Sequence, residues 1–249
     1  MPRRLDGLAE YYDLRHGAFS EDVPFYQRLA EEAEGPILEL GCGTGRLLAA
    51  LCARHPVIGV DVSGEMLRRA RAAVTHHGCR NVLLLRADLR RPVVQRGAGL
   101  AILALNTLCH FASQAEQLAV LRAARESLAP EGLLALDVPN PHLELEARPA
   151  GACLLEAIHE CPDKTIYEWS VTDAELGEQL LRVRSIYDRV APDGSVSRRS
   201  LAFGLRLFYR YELELLLVSA GLRPEAVLGD YDHSPYRGDS PRLLVLARR

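Results

Sequence analysis

The chain has 249 residues, 48% of them hydrophobic and 25% charged, with a formal net charge of −3. That length and apolar content suffice for one substantial core with room for an insertion, and they argue against general disorder. Arginines are scattered among acids rather than clustered, so the chain lacks the electrostatic footprint that binding a phosphate backbone requires, and nucleic acid is not expected as a partner.

The N-terminus, Met1-Pro2-Arg3-Arg4-Leu5-Asp6, leads into no signal-peptide-like apolar stretch, and no later segment offers about 18 consecutive apolar residues. The expectation is a cytoplasmic protein without a membrane partner. The six cysteines, Cys42, Cys52, Cys79, Cys109, Cys153 and Cys161, form no C-x-x-C pair and lie mostly in apolar segments. They read as reduced, mostly buried thiols, with no disulfide framework and no metal site.

From Pro36 to Val138 the apolar runs Ile37–Leu40, Val57–Val60, Val82–Arg86, Leu100–Leu105 and Leu133–Val138 alternate with helical patterns. This predicts right-handed crossovers in a mainly parallel, doubly wound α/β sheet. Ser63 is placed to cap a helix that ends near Gly78, and Ser113 with Glu116 forms a capping box. After Pro139-Asn140-Pro141 the texture changes. Segments around Cys153–His159, Thr165–Thr172, Leu180–Asp188 and Val196–Phe208 suit antiparallel strands, with a turn at Pro192-Asp193-Gly194. A helix from about Arg210 to Ala220, stopped by Gly221, then precedes strands at Ala226–Leu228 and Leu243–Ala247.

The strongest chemical signal is Ile37-Leu38-Glu39-Leu40-Gly41-Cys42-Gly43-Thr44-Gly45-Arg46, a buried strand running into a glycine-rich turn. Closely spaced glycines let a ligand sit against bare backbone. Arg46 stands where a pyrophosphate-binding G-x-G-x-x-G needs its last glycine, and Glu39 suits an ammonium and repels a pyrophosphate. Asp61, at the end of the second strand, is placed to accept from ribose hydroxyls, and Asp88, at the end of the third, from an adenine amino group.

In Glu39 to Arg46, Gly59-Val60-Asp61-Val62-Ser63-Gly64-Glu65-Met66-Leu67, Ala87-Asp88-Leu89 and Leu105-Asn106-Thr107-Leu108, the chain resembles the class I S-adenosylmethionine-dependent methyltransferases. The likeness extends to Leu128–Leu134 and to the closing helix and strand pair. It implies a Rossmann-like, seven-stranded, mainly parallel sheet with S-adenosylmethionine as methyl donor and S-adenosylhomocysteine as product. Glu39, Gly41, Cys42 and Gly43 would hold the methionine end, Asp61 the ribose, Met66, Asp88 and Leu89 the adenine, and Asn106 the outer edge. Val62 and Leu105 count among the same cofactor contacts, and Tyr12, in Tyr11-Tyr12-Asp13, would close over the methionine moiety. Residues 1–141 then comprise N-terminal lid helices and the cofactor core, 142–208 an inserted sheet, and 209–249 the last helix and strands of the core.

For the acceptor, His110 is the candidate catalytic base because it follows the fourth strand at the open end of the sheet. Asn106-Thr107-Leu108-Cys109 matches neither the N-P-P-Y nor the D-P-P-Y pattern of amino-methylating nucleic-acid enzymes, nor does it supply the Pro-Cys of cytosine-C5 enzymes. A small-molecule acceptor, methylated on N or O as in secondary metabolism, follows. Trp169, Arg184, Arg206 and Tyr209 are the expected substrate contacts, with Tyr167 and Tyr187 as further lining of a roof made by the inserted sheet; a homodimer interface is that sheet's alternative role. His233, between the last two strands, is either a contact at the pocket rim or, as the favoured reading, a solvated hairpin tip. A nicotinamide-dependent oxidoreductase and a catalytically silent cofactor-binding protein are the alternatives in function.

Overall fold

The computed structural model describes residues 2–94, 97–148 and 151–249. Helices α1 (Pro2–His16) and α2 (Val23–Glu31) precede a first sheet. Its order is β3 (Val82–Arg86), β2 (Val57–Asp61), β1 (Ile37–Leu40), β4 (Ala98–Leu103), β5 (Leu128–Pro139), β11 (Arg242–Arg248) and β10 (Arg223–Leu228). Pairing is parallel from β3 through β5, while β11 runs antiparallel to both of its neighbours. The crossover elements are α3 (Arg46–Leu51), α4 (Gly64–His76) and α5 (Gln114–Ser127), and α7 (Arg210–Ser219) precedes β10. No helix among the described residues is long and apolar enough to cross a membrane.

Strand alternation divides the core in two. Leu38 and Leu40 join the apolar layer under α5 and α7, whereas Ile37 joins the layer formed with α2, α3 and α4. Glu39 shares the Ile37 phase and is therefore buried. Both expected helix starts form: Ser63 Oγ accepts from the Met66 amide at 3.1 Å, and Ser113 Oγ from the Glu116 amide at 3.3 Å.

The cysteine reading needs correction, because Cys52 and Cys79 form a disulfide across a Cα–Cα distance of 5.6 Å. Cys52 ends α3 and Cys79 follows α4, and these helices pack side by side, so 27 residues of sequence collapse to bridging distance. A search for local C-x-x-C pairs is blind to that. Cys153 is exposed and Cys161 half-buried, while Cys42 and Cys109 are buried.

After the short helix α6 (Pro141–Glu146), strands β6 (Cys153–Cys161), β7 (Lys164–Glu175), β8 (Leu180–Val190) and β9 (Val196–Arg206) form a separate antiparallel sheet in sequential order. Ile166, Glu168, Ser170 and Thr172 of β7 are buried on one face with Leu181, Val183, Ser185 and Tyr187 of β8. Helix α1 packs on that face. Tyr11 stacks on Tyr187 with ring centroids 3.9 Å apart, and Arg15 reaches Glu168 at 3.3 Å.

Candidate active site

Two cavities meet at the C-terminal ends of the parallel strands, where sheet order reverses between β1 and β4. The first, about 200 Å³, is walled by Gly41, Gly43, Asp61, Met66 and Leu89, with Tyr12, Val62, Asp88 and Leu105 completing its wall. Gly41 has φ +81°, and a Cβ there would stand 2.5 Å from Thr107 Cγ2. Glycine is therefore demanded both by backbone conformation and by the close approach of the segment after β4. The Tyr12 ring covers the turn, its nearest atom 3.6 Å from where a Cβ on Gly43 would stand.

Asp61 does more than end a strand. Its Oδ2 accepts from the Gly43 amide at 3.0 Å and its Oδ1 from the Ser63 amide at 2.8 Å, so one carboxylate ties the glycine turn to the start of α4. Asp88 lines the cavity but is clamped by Arg90, whose Nη2 lies 2.6 Å from Oδ2, and this partner holds the Asp88 carboxyl below its ordinary range. Thr107, from the Leu105-Asn106-Thr107-Leu108 stretch, also lines the cavity, as do Arg90 and Phe111, which the sequence reading passes over. They carry no motif of their own and come into place only because the ends of β3 and β4 converge.

Three residues expected at the cofactor do not line the first cavity. The Cys42 side chain points into the core, its Sγ 3.1 Å from where a Cβ on Gly59 would stand. Asn106 lines the second cavity, and its Oδ1 accepts from Arg242 at 2.6 Å. Glu39 is only 5% exposed and lies behind the turn, because strand phase sends it toward α3. Burial pushes its carboxyl up to about 8, with Arg46 opposing and Asp22 and Asp61 adding to the shift. Its Oε2 meets no hydrogen-bond donor among the described residues.

That orphaned oxygen tests whether the site fits S-adenosylmethionine, whose amino-acid end carries an ammonium. An unsatisfied carboxylate oxygen just behind a bare glycine turn favours a cation on the turn's other side, and the same group would disfavour a pyrophosphate there. A pH dependence follows. Without ligand, Glu39 keeps a proton that the unfolded chain gives up in the ordinary carboxylate range, so its contribution to stability declines as pH rises from there toward about 8. Binding a cation favours the ionised carboxylate, so cofactor affinity measured by calorimetry should rise between pH 6 and pH 8, by at most about tenfold per unit. Glu39→Gln should flatten the rise; the same slope in wild type and variant would detach Glu39 from the ligand.

The second cavity, about 380 Å³, lies between α1, the β4–β5 end of the first sheet and the inner face of the second. Arg206 and Tyr187 line it, as does His110, which also lines the first cavity. Trp169, Arg184, Tyr209 and Tyr167 do not. Trp169 and Arg184 have the opposite strand phase from Glu168 and Tyr187, with Arg184 exposed and Trp169 stacked on Tyr167 on the outer face. Tyr209 begins α7 against His142, and His233 is exposed near Phe25. Arg15, Arg148 and Arg242 add further guanidinium groups to the wall, with Glu144 among them.

The methyltransferase domain family model matches residues 37–132, the stretch that builds the first cavity from β1 to the start of β5. By this match, that stretch is a methyltransferase domain. The chain is 35% identical over 130 residues to the carboxy-S-adenosyl-L-methionine synthase of Methylococcus capsulatus, a match covering 46% of this chain and about half (53%) of that relative's length. It is 26% identical to the dTDP-3-amino-3,6-dideoxy-alpha-D-glucopyranose N,N-dimethyltransferase of Streptomyces fradiae, over 89% of this chain and 86% of that one. Among solved structures, the CcbJ methyltransferase from Streptomyces caelestis matches with a TM-score of 0.77 at 26% identity, covering 92% of this chain and 93% of that one.

Proposed function

We propose that this methyltransferase moves the methyl group of S-adenosylmethionine to an amine nitrogen of a small, sugar-like acceptor. The observation that carries the reading is His110, whose side chain lines both cavities and which burial pushes below the ordinary histidine value. S-adenosylmethionine, when bound, supplies an electrophilic methyl carbon. The glycine turn and Asp61 would hold it, Tyr12 would exclude water, and the second cavity would orient the acceptor for in-line approach, an effect worth roughly 7–11 kcal/mol. As the nitrogen lone pair forms the new N–C bond, the C–S bond breaks with its electrons going to sulfur, and nitrogen becomes cationic. A neutral His110 imidazole is placed to draw off the nitrogen's proton while the N–C bond forms, so that proton transfer is part of the transition state.

The acceptor class rests on two supports. The S. fradiae relative, by its name, methylates an amino sugar nucleotide, and the match runs nearly end to end. The second cavity presents Arg15, Arg148, Arg206 and Arg242. Their carboxylate partners Glu168, Glu156, Glu212 and Asp137 do not line the cavity, while Glu144, which also pairs with Arg148, does, an arrangement suited to a hydroxylated molecule that also carries an amine or a phosphate. With S-adenosylmethionine and a panel of amino sugars, amino sugar nucleotides and their hydroxyl counterparts, S-adenosylhomocysteine should form only with the amines. Turnover with the hydroxyl compounds alone would make the enzyme an O-methyltransferase; tight cofactor binding with no turnover on any amine would overturn the proposal.

A further inference from the structure

Asp137, near the end of β5, is fully buried, and its carboxylate collects donors from four separate parts of the chain. Oδ1 accepts from the Tyr26 hydroxyl of α2 at 2.8 Å and from the Leu105 amide at 2.9 Å. Oδ2 accepts from the Tyr231 hydroxyl at 2.9 Å and pairs with the Arg242 guanidinium. Two oxygens with about four lone-pair sites are thereby filled, which an ionised carboxylate allows and an amide does not.

One of those donors belongs to an unusual segment. Leu105 and Asn106 are consecutive non-glycine residues with φ of +45° and +67°, a left-handed conformation that is disfavoured unless the surroundings hold it. The surroundings do so through Asp137, whose backbone carbonyl also accepts from the Asn106 amide at 3.3 Å, and through Arg242, which reaches Asn106 Oδ1. Leu105 lines both cavities, and the 3-10 turn Thr107–His110 follows at once. The strained pair is thus the partition between donor and acceptor, and it sets where His110 starts.

We propose that Asp137 is a positioning residue, holding Leu105 and Asn106 in the left-handed backbone that forms this partition and so aligning His110 with the methyl path. Its effect on rate rests on the function proposed above; its hold on the backbone does not. In Asp137→Asn the amide oxygen should stay toward Arg242, since an NH2 facing a guanidinium is repulsive. The NH2 would then face the Leu105 N–H, and the strained residue would lose its acceptor.

The test combines amide hydrogen exchange by NMR with single-turnover methyl transfer. In the wild type, the Leu105 amide should exchange only as slowly as the sheet core; rapid exchange there would overturn the proposal without any variant. In Asp137→Asn, amides of 104–110 should exchange at least about tenfold faster while β1 and β2 remain protected. The transfer step should slow about 100-fold, the scale expected from misplacing reacting groups by about an ångström, with cofactor affinity within about tenfold. Tyr231→Phe, which removes a donor that lines neither cavity and leaves the Leu105 bond intact, should keep both protection and rate within about threefold of wild type. Unchanged protection in folded Asp137→Asn, a uniform rise in exchange across the core, or a normal rate despite lost protection would each overturn the role. If the wild type transfers no methyl group to any amine, the proposed function fails, while the exchange data alone still decide whether Asp137 holds the segment.

Discussion

His110→Ala should lower the rate of methyl transfer from bound cofactor to bound acceptor by about 10²–10⁴-fold, the span associated with loss of a positioned general base. The residue stands where both cavities open, its ring centroid 6.2 Å from that of Phe203 on the inner face of the second sheet. Enclosure by protein disfavours the imidazolium, so the ring stays neutral below the ordinary histidine value of about 6.5. The sign of the pH effect follows: a base of lowered pKa is ready at neutral pH, and its contribution fades only as pH falls through that lowered value. Single-turnover rates at saturating cofactor should therefore show an acid limb below about pH 6.5 in the wild type and none in the variant. Cofactor affinity should remain close to wild type. A raised Michaelis constant with an unchanged transfer rate would reduce His110 to an acceptor contact.

Asp22→Ala should cost about 3–5 kcal/mol of unfolding free energy, the usual penalty for stranding one member of a buried ion pair. Arg46 grips Asp22 with two parallel contacts of 2.6 Å, and the side chains are 14% and 0% exposed, so water screens the pair little. The guanidinium also donates to the Phe19 carbonyl at 2.9 Å and lies over the Phe19 ring. Asp22 stands at the N-cap position of α2 yet spends its carboxylate on Arg46 instead of capping. The pair thereby fastens the end of the glycine turn to the segment joining α1 and α2. Urea denaturation should register the loss, and the apolar pair Asp22→Leu with Arg46→Met should recover most of it, since burying a matched apolar pair is often neutral. A cost below about 1 kcal/mol for Asp22→Ala would place the pair with solvent-screened surface bridges.

The donor side of the site was legible because its determinants are local. A glycine turn after a buried strand, acids at the next two strand ends and a serine at a helix start each act within a few residues of where they stand. Gly41, Gly43, Asp61, Met66 and Leu89 accordingly line one cavity. Even there, local reading stops at the backbone: it does not reveal that strand phase sets Glu39 behind the glycine turn or that core packing takes the Cys42 side chain off the cavity wall. The acceptor side was less legible. Alternation along β7 and β8 can be read from the residues, but nothing in either strand says which of its two faces meets α1. Trp169 and Arg184 looked suited to binding and face outward, while Tyr187 and Arg206 face the cavity.

By itself, the amino-acid sequence determined the order of elements, the doubly wound sheet and the position of the glycine turn that walls the first cavity, since hydrophobic period, glycine freedom and capping are properties of short segments. Tertiary structure alone decided which distant groups share a volume. Arg46 meets Asp22 from 24 residues earlier, Asp137 gathers Tyr26, Leu105, Tyr231 and Arg242, and Cys52 reaches Cys79. Each of these contacts joins groups that are far apart along the chain. Their cost or benefit is set by burial and geometry at the meeting point, which come into being only when both sheets and their helices close around it.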